Sequence, residues 1–385
     1  MRALQEVVRP PRRERAVLVG HAGRDRHALN GSMEELARLA DTAGAPPVAS
    51  LVQRRGAISP STFIGKGKVE EVKTLATEFK AEVAIFNDDL SPPQVRNLEK
   101  ALQLRVIDRS ELILDIFARR ARTRESRLQV ELAQLQYTLP RLTGMWTHLE
   151  RQAGGIGTRG PGETQLEVDR RKVRERIAKL KQQLEAVDRE RETQRRRRRR
   201  EFRVAIVGYT NAGKSTLFNK LTRAGVFVED RLFATLDATT RQMVSPDRQV
   251  LLLTDTVGFI RKLPHHLVAS FRSTLTEATE ADLLLHVVDA ADGEHERQIV
   301  AVEGVLEELL KEPRPTWMVF NKSDCLEEEA IAALKARDSE CFVVSAATGA
   351  GLKEMRAQLW CAAASGRGPA AARAARGRDL RLEMP

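Results

Sequence analysis

The first 108 residues alternate short apolar runs with longer stretches in which apolar positions recur at helical spacing. Strands that alternate with helices predict a parallel sheet. The predicted strands are 16–19, 48–52, 83–86 and 105–107, and the predicted helices are 32–40, 68–79 and a segment after Pro92-Pro93. Ser32 and Glu35 have the spacing of a capping box, so we expect the first helix to begin at Ser32. Residues 1–108 are therefore predicted to form an N-terminal parallel α/β domain.

A basic glycine loop, Phe63-Ile64-Gly65-Lys66-Gly67-Lys68, precedes one of these helices. Backbone N–H groups at the start of a helix can hold a phosphate, which is one interpretation of the loop. Two glycines without the rest of a phosphate-binding fingerprint are at least as typical of a structural turn. The sequence of this domain contains no residue pattern typical of catalysis.

Residues 109–200 carry two apolar stripes at helical spacing, one before Pro140 and one well after it. The first stripe consists of Leu128, Leu132, Leu135 and Leu139. The second follows a heptad through Leu166, Val173, Ile177, Leu180, Leu184 and Val187, with Arg170 as its one charged residue. Two such helices joined by about twenty residues predict a long antiparallel helical hairpin whose apolar stripes face each other.

The positive charge of the chain is concentrated in this hairpin. The whole chain has 64 Lys and Arg against 53 Asp and Glu, and residues 105–201 hold 25 of the basic residues against 15 of the acidic ones. A local basic excess of this size favours contact with RNA. Solvated helix faces and a basic linker are the alternative interpretation, and the six consecutive arginines at 195–200 fit it.

A glycine-rich loop, 154–163, lies at the predicted tip of the hairpin. Its five glycines and one proline cannot form a core, but a thin backbone can enter a crowded groove. We predict contact with RNA, in which Arg159 meets a phosphate or stacks on a base; a flexible connector is the alternative. The candidate RNA contacts are Gly154, Gly155, Gly157, Arg159 and Gly160.

A second glycine-rich motif lies between a predicted strand, 202–207, and a predicted helix. It consists of Gly208, Tyr209, Thr210, Asn211, Ala212, Gly213, Lys214 and Ser215, which fits G-x-x-x-x-G-K-S. In this setting backbone N–H groups surround phosphates, Lys214 reaches the β and γ oxygens, and Ser215 can ligate Mg²⁺. The motif therefore predicts a site for a nucleoside triphosphate.

Three further motifs follow, each at the end of an apolar run typical of a strand. They are Asp255, Thr256, Val257 and Gly258; Asn321, Lys322, Ser323 and Asp324; and Ser345, Ala346 and Ala347. The first places a carboxylate beside Mg²⁺ and a glycine N–H near the γ-phosphate. Asp324 can accept hydrogen bonds from N1 and N2 of guanine, which adenine cannot supply, and the third motif offers backbone groups to guanine O6. In this order the motifs predict a G domain over 201–361 that binds GTP.

Membrane and disulfide-rich proteins are disfavoured by the sequence. No apolar run is long enough to span a membrane, and we expect no signal peptide because the first ten residues lack an apolar segment. Cys325, Cys341 and Cys361 have no metal-binding spacing, and their odd number argues against a disulfide framework. We expect reduced thiols in a cytoplasmic protein that acts as a monomer.

These stretches together resemble the HflX GTPases, which are ribosome-binding proteins of the translation-factor class. The resemblance covers residues 16–361 and rests on the loop GGIGTRGPGETQLE, the segment from Leu128 to Leu142, and the motifs GYTNAGKST, FATLD and DTVGFI. It implies an N-terminal nucleotide-binding-like domain, the hairpin and a Ras-like P-loop G domain. It also implies that the protein acts on the large ribosomal subunit and its rRNA, splitting stalled or idle ribosomes. The resemblance also implies that the N-terminal domain can use ATP, which the residues of this sequence neither support nor exclude.

The resemblance also implies roles for residues of the two switch segments. It assigns nucleotide contacts to Phe233, Ala234, Thr235, Leu236 and Asp237, and it makes Thr235 a second Mg²⁺ ligand beside Ser215. Thr239 and Thr240 are nearby rivals for that ligand position. Phe259 stands where Ras-like enzymes place a water-orienting glutamine, which leaves no evident catalytic side chain besides the phosphate-stabilising Lys214.

Two departures from the family pattern follow from the same resemblance. Ala238 stands where relatives often carry proline, which would loosen the first switch segment. The chain ends in an Ala/Arg/Gly tail, 362–385, that we expect to be disordered.

We therefore predict a Mg²⁺-dependent GTPase that binds the large ribosomal subunit and splits or recycles stalled or idle ribosomes. Two alternatives remain open. One is an RNA-remodelling NTPase with ATP-dependent, helicase-like activity. The other is a GTP-gated module that binds ribosomal subunits and uses hydrolysis only as a timer.

Overall fold

A computed structural model describes most of the chain, and its contacts divide the chain into two compact units. The described residues are 14–22, 26–54, 57–144, 161–197, 201–222, 232–233, 236–245, 247–262, 277–310, 312–337 and 341–365. The first unit consists of 1–116 and 134–175, and the second of 117–133 and 176–385. The domain boundaries expected after residues 108 and 200 stay predictions.

A four-stranded parallel sheet lies at the centre of the first unit. Its strands are β1 (Ala16–His21), β2 (Pro47–Gln53), β3 (Val83–Phe86) and β4 (Arg105–Ile107), in the order β2-β1-β3-β4. The helices are α1 (Arg26–Thr42), α2 (Lys66–Glu78), α3 (Pro92–Leu102) and α4 (Arg109–Arg120). β1 and β3 are buried along nearly their whole length, as central strands of a parallel sheet are. The predicted parallel α/β fold is confirmed.

The capping box predicted at Ser32 and Glu35 is wrong. α1 begins at Arg26, so Ser32 lies inside the helix. The buried Ser32 hydroxyl accepts a hydrogen bond from the Asn87 amide at 2.9 Å, and Glu35 pairs with the buried Arg109. Buried polar groups need hydrogen-bond partners. Serine and glutamate, the residue types of a capping box, meet that need here inside the helix.

Two helices occupy the middle of the chain, α5 (Arg124–Thr138) and α6 (Pro161–Arg197). A 3₁₀ turn, Leu139–Gly144, follows α5, so the α-helix ends just before Pro140 as predicted. Within the second unit, Arg176 of α6 donates two hydrogen bonds to Glu131 of α5, at 2.6 and 2.9 Å.

The buried face of α5 differs from the predicted leucine stripe. Leu128 and Leu135 are only half-buried, whereas Gln129, Val130 and Ala133 are fully buried. On α6, Leu180 is the one fully buried position among the described heptad residues. Leu132 is the one residue of the predicted α5 stripe that is buried, and the rest of the buried face is formed by neighbouring positions.

A six-stranded sheet forms the centre of the second unit. Its strands are β5 (Phe202–Gly208), β6 (Thr239–Val244), β7 (Val250–Asp255), β8 (Leu283–Asp289), β9 (Thr316–Asn321) and β10 (Phe342–Val343), in the order β10-β9-β8-β5-β7-β6. Among the described strands, only β6 runs antiparallel to its neighbour. The described helices are α7 (Lys214–Thr222), α8 (His295–Leu309), α9 (Glu328–Arg337) and α10 (Leu352–Ser365). The predicted P-loop G-domain fold is confirmed, and β6 and β8 are strands that the sequence did not reveal.

The parallel strands of this sheet end at one edge, and the four nucleotide motifs follow those ends. Ligands of open α/β sheets bind at such an edge. The prediction that residues 362–365 belong to a disordered tail is wrong, because they complete α10, and the rest of the predicted tail lies outside the described residues. None of the described helices combines the length and the apolar character needed to cross a bilayer.

Candidate functional site

Two glycines shape the loop between β5 and α7. Gly208 has φ +147°, and a Cβ atom there would lie 2.2 Å from the carbonyl oxygen of Val287 in β8. Gly213 has φ +87°, and a Cβ atom there would lie 2.2 Å from Nδ2 of Asn321. Any other residue would be strained and would clash at both positions, so the loop requires glycine there.

Lys214 follows this loop as the first residue of α7. Its Nζ donates a hydrogen bond to the Tyr209 carbonyl oxygen at 2.7 Å, and the side chain is buried. Burial lowers the pKa of Lys214 to about 8, and the nearby charge of Asp255 opposes this shift. The Lys214 ammonium is therefore desolvated and lies against the backbone of the loop, where it can contact an anionic oxygen.

Ser215 and Asp255 form a polar pair beside Lys214. The Ser215 hydroxyl donates to Asp255 Oδ2 at 2.6 Å. Burial raises the pKa of Asp255 to about 6, against the opposing effects of Ser215 and Lys214. The other carboxylate oxygen, Oδ1, is buried and has no hydrogen-bond donor in the described part of the chain. A hydroxyl and a carboxylate oxygen are the ligand types that Mg²⁺ prefers, so the pair fits that ion.

Asn321 connects the phosphate loop to the third motif. Its Nδ2 donates to the Ala212 carbonyl oxygen at 2.9 Å, and its Oδ1 accepts from the Ala346 N–H at 2.9 Å. All three residues are buried. One amide side chain therefore fixes the distance between the two loops.

Asp324 and Ser345, which the sequence predicts to form a base-reading corner, are joined by a hydrogen bond. A hydrogen bond from Ser345 lowers the pKa of Asp324, which keeps that carboxylate ionised. Lys322 has φ 64° and its ammonium lies 2.6 Å from a carboxylate oxygen of Asp289 at the end of β8. Asp289 is a residue that the sequence analysis missed, because no motif follows β8.

Gly258 and Phe259 lie against the phosphate loop. A Cβ atom at Gly258 would lie 2.7 Å from Cα of Thr210. The Phe259 N–H donates to the Gly208 carbonyl at 3.1 Å, and the Phe259 carbonyl accepts from the Thr210 N–H at 2.7 Å. The Phe259 side chain is buried, so this position presents backbone and an apolar ring. That no side chain at this position orients water stays a prediction.

The first switch segment is only partly described, because Ala234 and Thr235 lie outside the described residues. The Phe233 N–H donates to Oγ1 of Thr210 at 3.0 Å, and Leu236 is buried. The carboxylate of Asp237 contacts the start of α5, where it accepts from the Thr123 hydroxyl at 2.6 Å. That contact was not predicted.

A buried histidine lies under the phosphate loop on β8. His286 is 1% exposed and pairs with Val207 of β5 across the sheet. Burial lowers the pKa of His286 to about 4, and the charge of Lys214 adds to the shift. The imidazole is therefore neutral at pH 7. Its position in an apolar strand gave no signal in the sequence.

The remaining candidate sites are less completely described. The RNA-contact candidates Gly154, Gly155, Gly157, Arg159 and Gly160 lie outside the described residues. The basic glycine loop of the first unit borders a cavity of about 1160 Å³ lined by Gln53, Arg54, Gly65 and Lys68 among others. The Gly65 N–H donates to Gln53 Oε1 at 2.8 Å, as in a structural turn. No cluster of three or more His, Cys, Asp or Glu suited to a metal occurs in the described part of the chain.

Three known families match consecutive parts of the chain between residues 30 and 322. The family described as GTP-binding GTPase N-terminal matches residues 30–118, and GTP-binding GTPase Middle Region matches 120–198. The family described as 50S ribosome-binding GTPase matches residues 203–322.

Individual proteins show the same similarity. GTPase HflX of Magnetococcus marinus is 52% identical over 337 residues, which cover 87% of this chain and 78% of that protein. GTPase HflX of Escherichia coli is 49% identical over 327 residues, covering 84% and 77%. A solved structure of a GTP-binding protein from Sulfolobus solfataricus in complex with GDP covers 91% of this chain and 99% of its own, with 23% identity and a TM-score of 0.46. With half of its residues identical over more than four fifths of its length, the chain belongs to the HflX family of GTPases.

Proposed function

We propose that this GTPase binds the large ribosomal subunit and splits stalled or idle ribosomes in the cytoplasm, with Mg²⁺ as its metal. The match of residues 203–322 to the family described as 50S ribosome-binding GTPase carries the proposal. The geometry of the nucleotide site and the charge of α6 support it.

The base-reading corner supports GTP as the nucleotide. Asp324 is the acceptor for N1 and N2 of guanine, and Ser345 keeps it ionised. Asn321 holds the loop with Ala346 next to the phosphate loop, so base and phosphates are recognised by one connected set of groups. These protein contacts hold the two loops in place, and such preorganisation lowers the entropic cost of binding.

Lys214 and the Ser215–Asp255 pair would hold the phosphates and the metal. The Lys214 ammonium would exchange the Tyr209 carbonyl for β and γ phosphate oxygens. Ser215 and Thr235 would ligate Mg²⁺ directly, and the donor-free Oδ1 of Asp255 would accept from its water. When bound, the ion neutralises charge on the phosphate oxygens.

The residues around the γ-phosphate position indicate slow intrinsic hydrolysis. Phe259 cannot orient a water molecule, and its ring is buried. Lys214 and the N–H of Gly258 can stabilise charge, but positioning of the attacking water must come from ordered switch segments or from groups in trans. Ribosome-dependent stimulation is the expected consequence.

Charge on α6 supports contact with ribosomal RNA. Most of its described basic side chains are exposed, namely Arg171, Lys172, Arg174, Arg176, Lys179, Lys181 and Arg189, whereas Arg170 is part-buried. Exposed cations at this density release counterions when they meet phosphates, so binding should weaken steeply with salt. We place the RNA contact on this helix and on the glycine-rich loop before it.

Light scattering of purified ribosomes tests the proposal. We expect dissociation into subunits with GTP or a non-hydrolysable GTP analogue, and none with GDP. Lys214→Ala should abolish splitting. Asp282→Ala, at the opposite edge of the sheet, is the matched control and should split normally. Binding without splitting would favour the GTP-gated module, and ATP-dependent unwinding of RNA without ribosomes would favour the remodelling NTPase. Either result would overturn the proposal.

A further inference from the structure

Asp289, the last residue of β8, lies beside the segment Asn321 to Asp324, which we call the base-reading loop. Its Oδ2 lies 2.6 Å from the Lys322 ammonium. Its Oδ1 accepts a hydrogen bond from the Ala291 N–H at 3.1 Å. The Asp289 and Lys322 side chains are 16% and 32% exposed, so this ion pair is screened less by water than an ion pair on the open surface. One carboxylate therefore contacts both its own turn and the base-reading loop.

The backbone of Lys322 sets the direction of the base-reading loop. Lys322 has φ 64° and ψ 34°, the left-handed conformation, which is costly for a residue with a Cβ atom and persists only where contacts hold it. It directly precedes the 3₁₀ turn Ser323–Cys325, in which the Cys325 N–H donates to the Lys322 carbonyl at 3.0 Å. Asp324 is the middle residue of that turn. The placement of the Asp324 carboxylate therefore depends on the conformation of Lys322.

Backbone hydrogen bonds fix the residues on both sides of Lys322. The Asn321 carbonyl accepts from the Ala290 N–H at 3.0 Å, and the Ser323 N–H donates to the Val344 carbonyl at 3.1 Å. These bonds hold the main chain but leave the long side chain of Lys322 to be held by Asp289.

The Lys322 ammonium has a second carboxylate within electrostatic reach. After the hydrogen bond from Ser345, the charge of Lys322 is among the effects that lower the pKa of Asp324. An ammonium released from Asp289 would be able to pair with Asp324 and compete with N1 and N2 of guanine. Asp289 therefore supports base reading in two ways, because it holds the turn and keeps the ammonium away from Asp324.

We propose that Asp289 is a positioning residue for guanine recognition, and that its carboxylate holds Lys322 so that Asp324 is placed and free to accept from the base. The proposal rests on the role of Asp324 in the proposed function. Asp289 acts through Lys322 and needs no contact of its own with the nucleotide.

The expected signature is a loss of base discrimination. Inosine diphosphate lacks the N2 amine of guanine, so its affinity depends less on the Asp324 carboxylate than the affinity of GDP does. A displaced or paired Asp324 should therefore weaken GDP more than inosine diphosphate. Because both ligands lack a γ-phosphate, which orders the switch segments, the comparison does not depend on those segments or on hydrolysis.

The experiment measures the affinities of the full-length protein for GDP and inosine diphosphate by fluorescence competition, with Mg²⁺ present. Asp289→Asn keeps the size of the side chain and an oxygen for the Ala291 N–H, but it replaces the oxygen at Lys322 by an amide NH₂. We expect GDP affinity to fall about tenfold and inosine diphosphate affinity about threefold, since a hydrogen bond between charged groups is lost at a part-buried position. An unchanged ratio of the two affinities would overturn the proposal.

A double-mutant cycle with Lys322→Met tests whether Asp289 acts through the ammonium. Lys322→Met removes the charge and keeps an unbranched side chain. In that background, Asp289→Asn should change neither affinity, because its partner is already absent. A full effect of Asp289→Asn in the methionine background would assign the loss to the Ala291 contact and refute the proposal.

Asp282→Asn is the matched control, because Asp282 directly precedes the same strand, β8, at its other end. Its Oδ2 accepts from the Arg203 N–H at 2.8 Å and lies 3.6 Å from Arg203 Nε, so it also combines a backbone contact with an ion pair. Asp282→Asn should leave both affinities unchanged. If Asp289 has a purely structural role, Asp289→Asn will lower the thermal midpoint and weaken both nucleotides equally, which contradicts the proposal.

Asp324→Asn separates failure of this proposal from failure of the base assignment. If Asp324 does not read guanine, Asp324→Asn will leave the ratio of GDP to inosine diphosphate affinity unchanged, and the base assignment falls. If Asp324→Asn lowers that ratio and Asp289→Asn does not, the role of Asp289 alone is wrong. Ribosomes are absent from the assay, so its outcome does not depend on ribosome splitting.

Discussion

Asn321 is expected to determine whether the nucleotide site is assembled before a ligand arrives. Replacement by alanine removes both hydrogen bonds, the one to the Ala212 carbonyl and the one from the Ala346 N–H, each 2.9 Å long. Ala212 and Ala346 are 1% and 2% exposed, so water cannot replace the lost partner. Each unpaired buried group costs about 1–3 kcal/mol, which gives a loss of about 2–6 kcal/mol in the stability of the second unit.

Part of this loss should appear as weaker nucleotide binding. GTP or GDP must then bring together two loops that are no longer connected, and each 1.4 kcal/mol lowers affinity about tenfold. Hydrogen exchange at the Ala346 amide reports the local opening, urea unfolding reports the stability, and fluorescence titration reports the affinity.

A matched control is Asn97→Ala, which removes an exposed hydrogen bond of 2.9 Å from Asn97 to the Ser61 carbonyl in the first unit. Exposed substitutions of this kind stay within about 0.5 kcal/mol. If Asn321→Ala protects the Ala346 amide as well as the wild type does, and binds GDP with unchanged affinity, the two loops are held by other contacts and the reasoning fails.

Four further predictions concern the base, the rate, the loop and pH. Asp324→Asn should shift preference from GTP towards xanthosine triphosphate, lowering GTP affinity roughly ten- to a hundredfold, as measured by competition titration; unchanged GTP affinity would count against the base assignment. Intrinsic hydrolysis should be slow and large ribosomal subunits should stimulate it, because Phe259 cannot orient water; fast hydrolysis that ignores ribosomes would contradict this. Deletion of 155–160 with a short linker should leave basal hydrolysis within about twofold but sharply reduce ribosome-stimulated hydrolysis and splitting, and Arg159→Ala should weaken the salt dependence of binding; normal splitting by the deleted protein would make the loop a connector. The pKa of His286, lowered to about 4, means that the unfolded chain binds a proton below pH 6.5 that the folded chain does not. Wild-type stability should therefore fall relative to His286→Leu by up to about 1.4 kcal/mol per unit as pH drops from 6.5 towards 4, as measured by urea unfolding; a pH-independent difference would refute the burial of a neutral imidazole.

The parts of the fold that sequence predicts are those whose cause is local. Val83–Phe86 and Arg105–Ile107 are strands with the predicted bounds. The fully buried Val83–Phe86 is a continuous apolar run, as a short buried strand must be. Gly208 and Gly213 could be placed from the motif because positive φ angles and close backbone approach demand glycine.

The parts that sequence missed depend on contacts between distant residues. Ser32 looked like a helix cap because a buried Ser–Asn pair uses the same residue type. The surroundings of Asp289 and His286 depend on the position of β8 in the sheet, and no motif in the sequence marks that strand. The contact between Asp237 and Thr123 joins two segments whose spacing along the chain carries no periodic signal.

That last contact also has a consequence for the order in which the protein is made. Thr123 and Asp237 are 114 positions apart. At about 5–20 residues per second, the partner of Thr123 leaves the ribosome roughly 6–23 s after Thr123 itself. Meanwhile 134–175 joins the first unit, although 117–133 belongs to the second. We expect residues 117–133 of the nascent chain to lack their partners in the second unit during this interval. A synonymous codon change that slows elongation between 124 and 237 should therefore prolong the exposure of this segment to proteases.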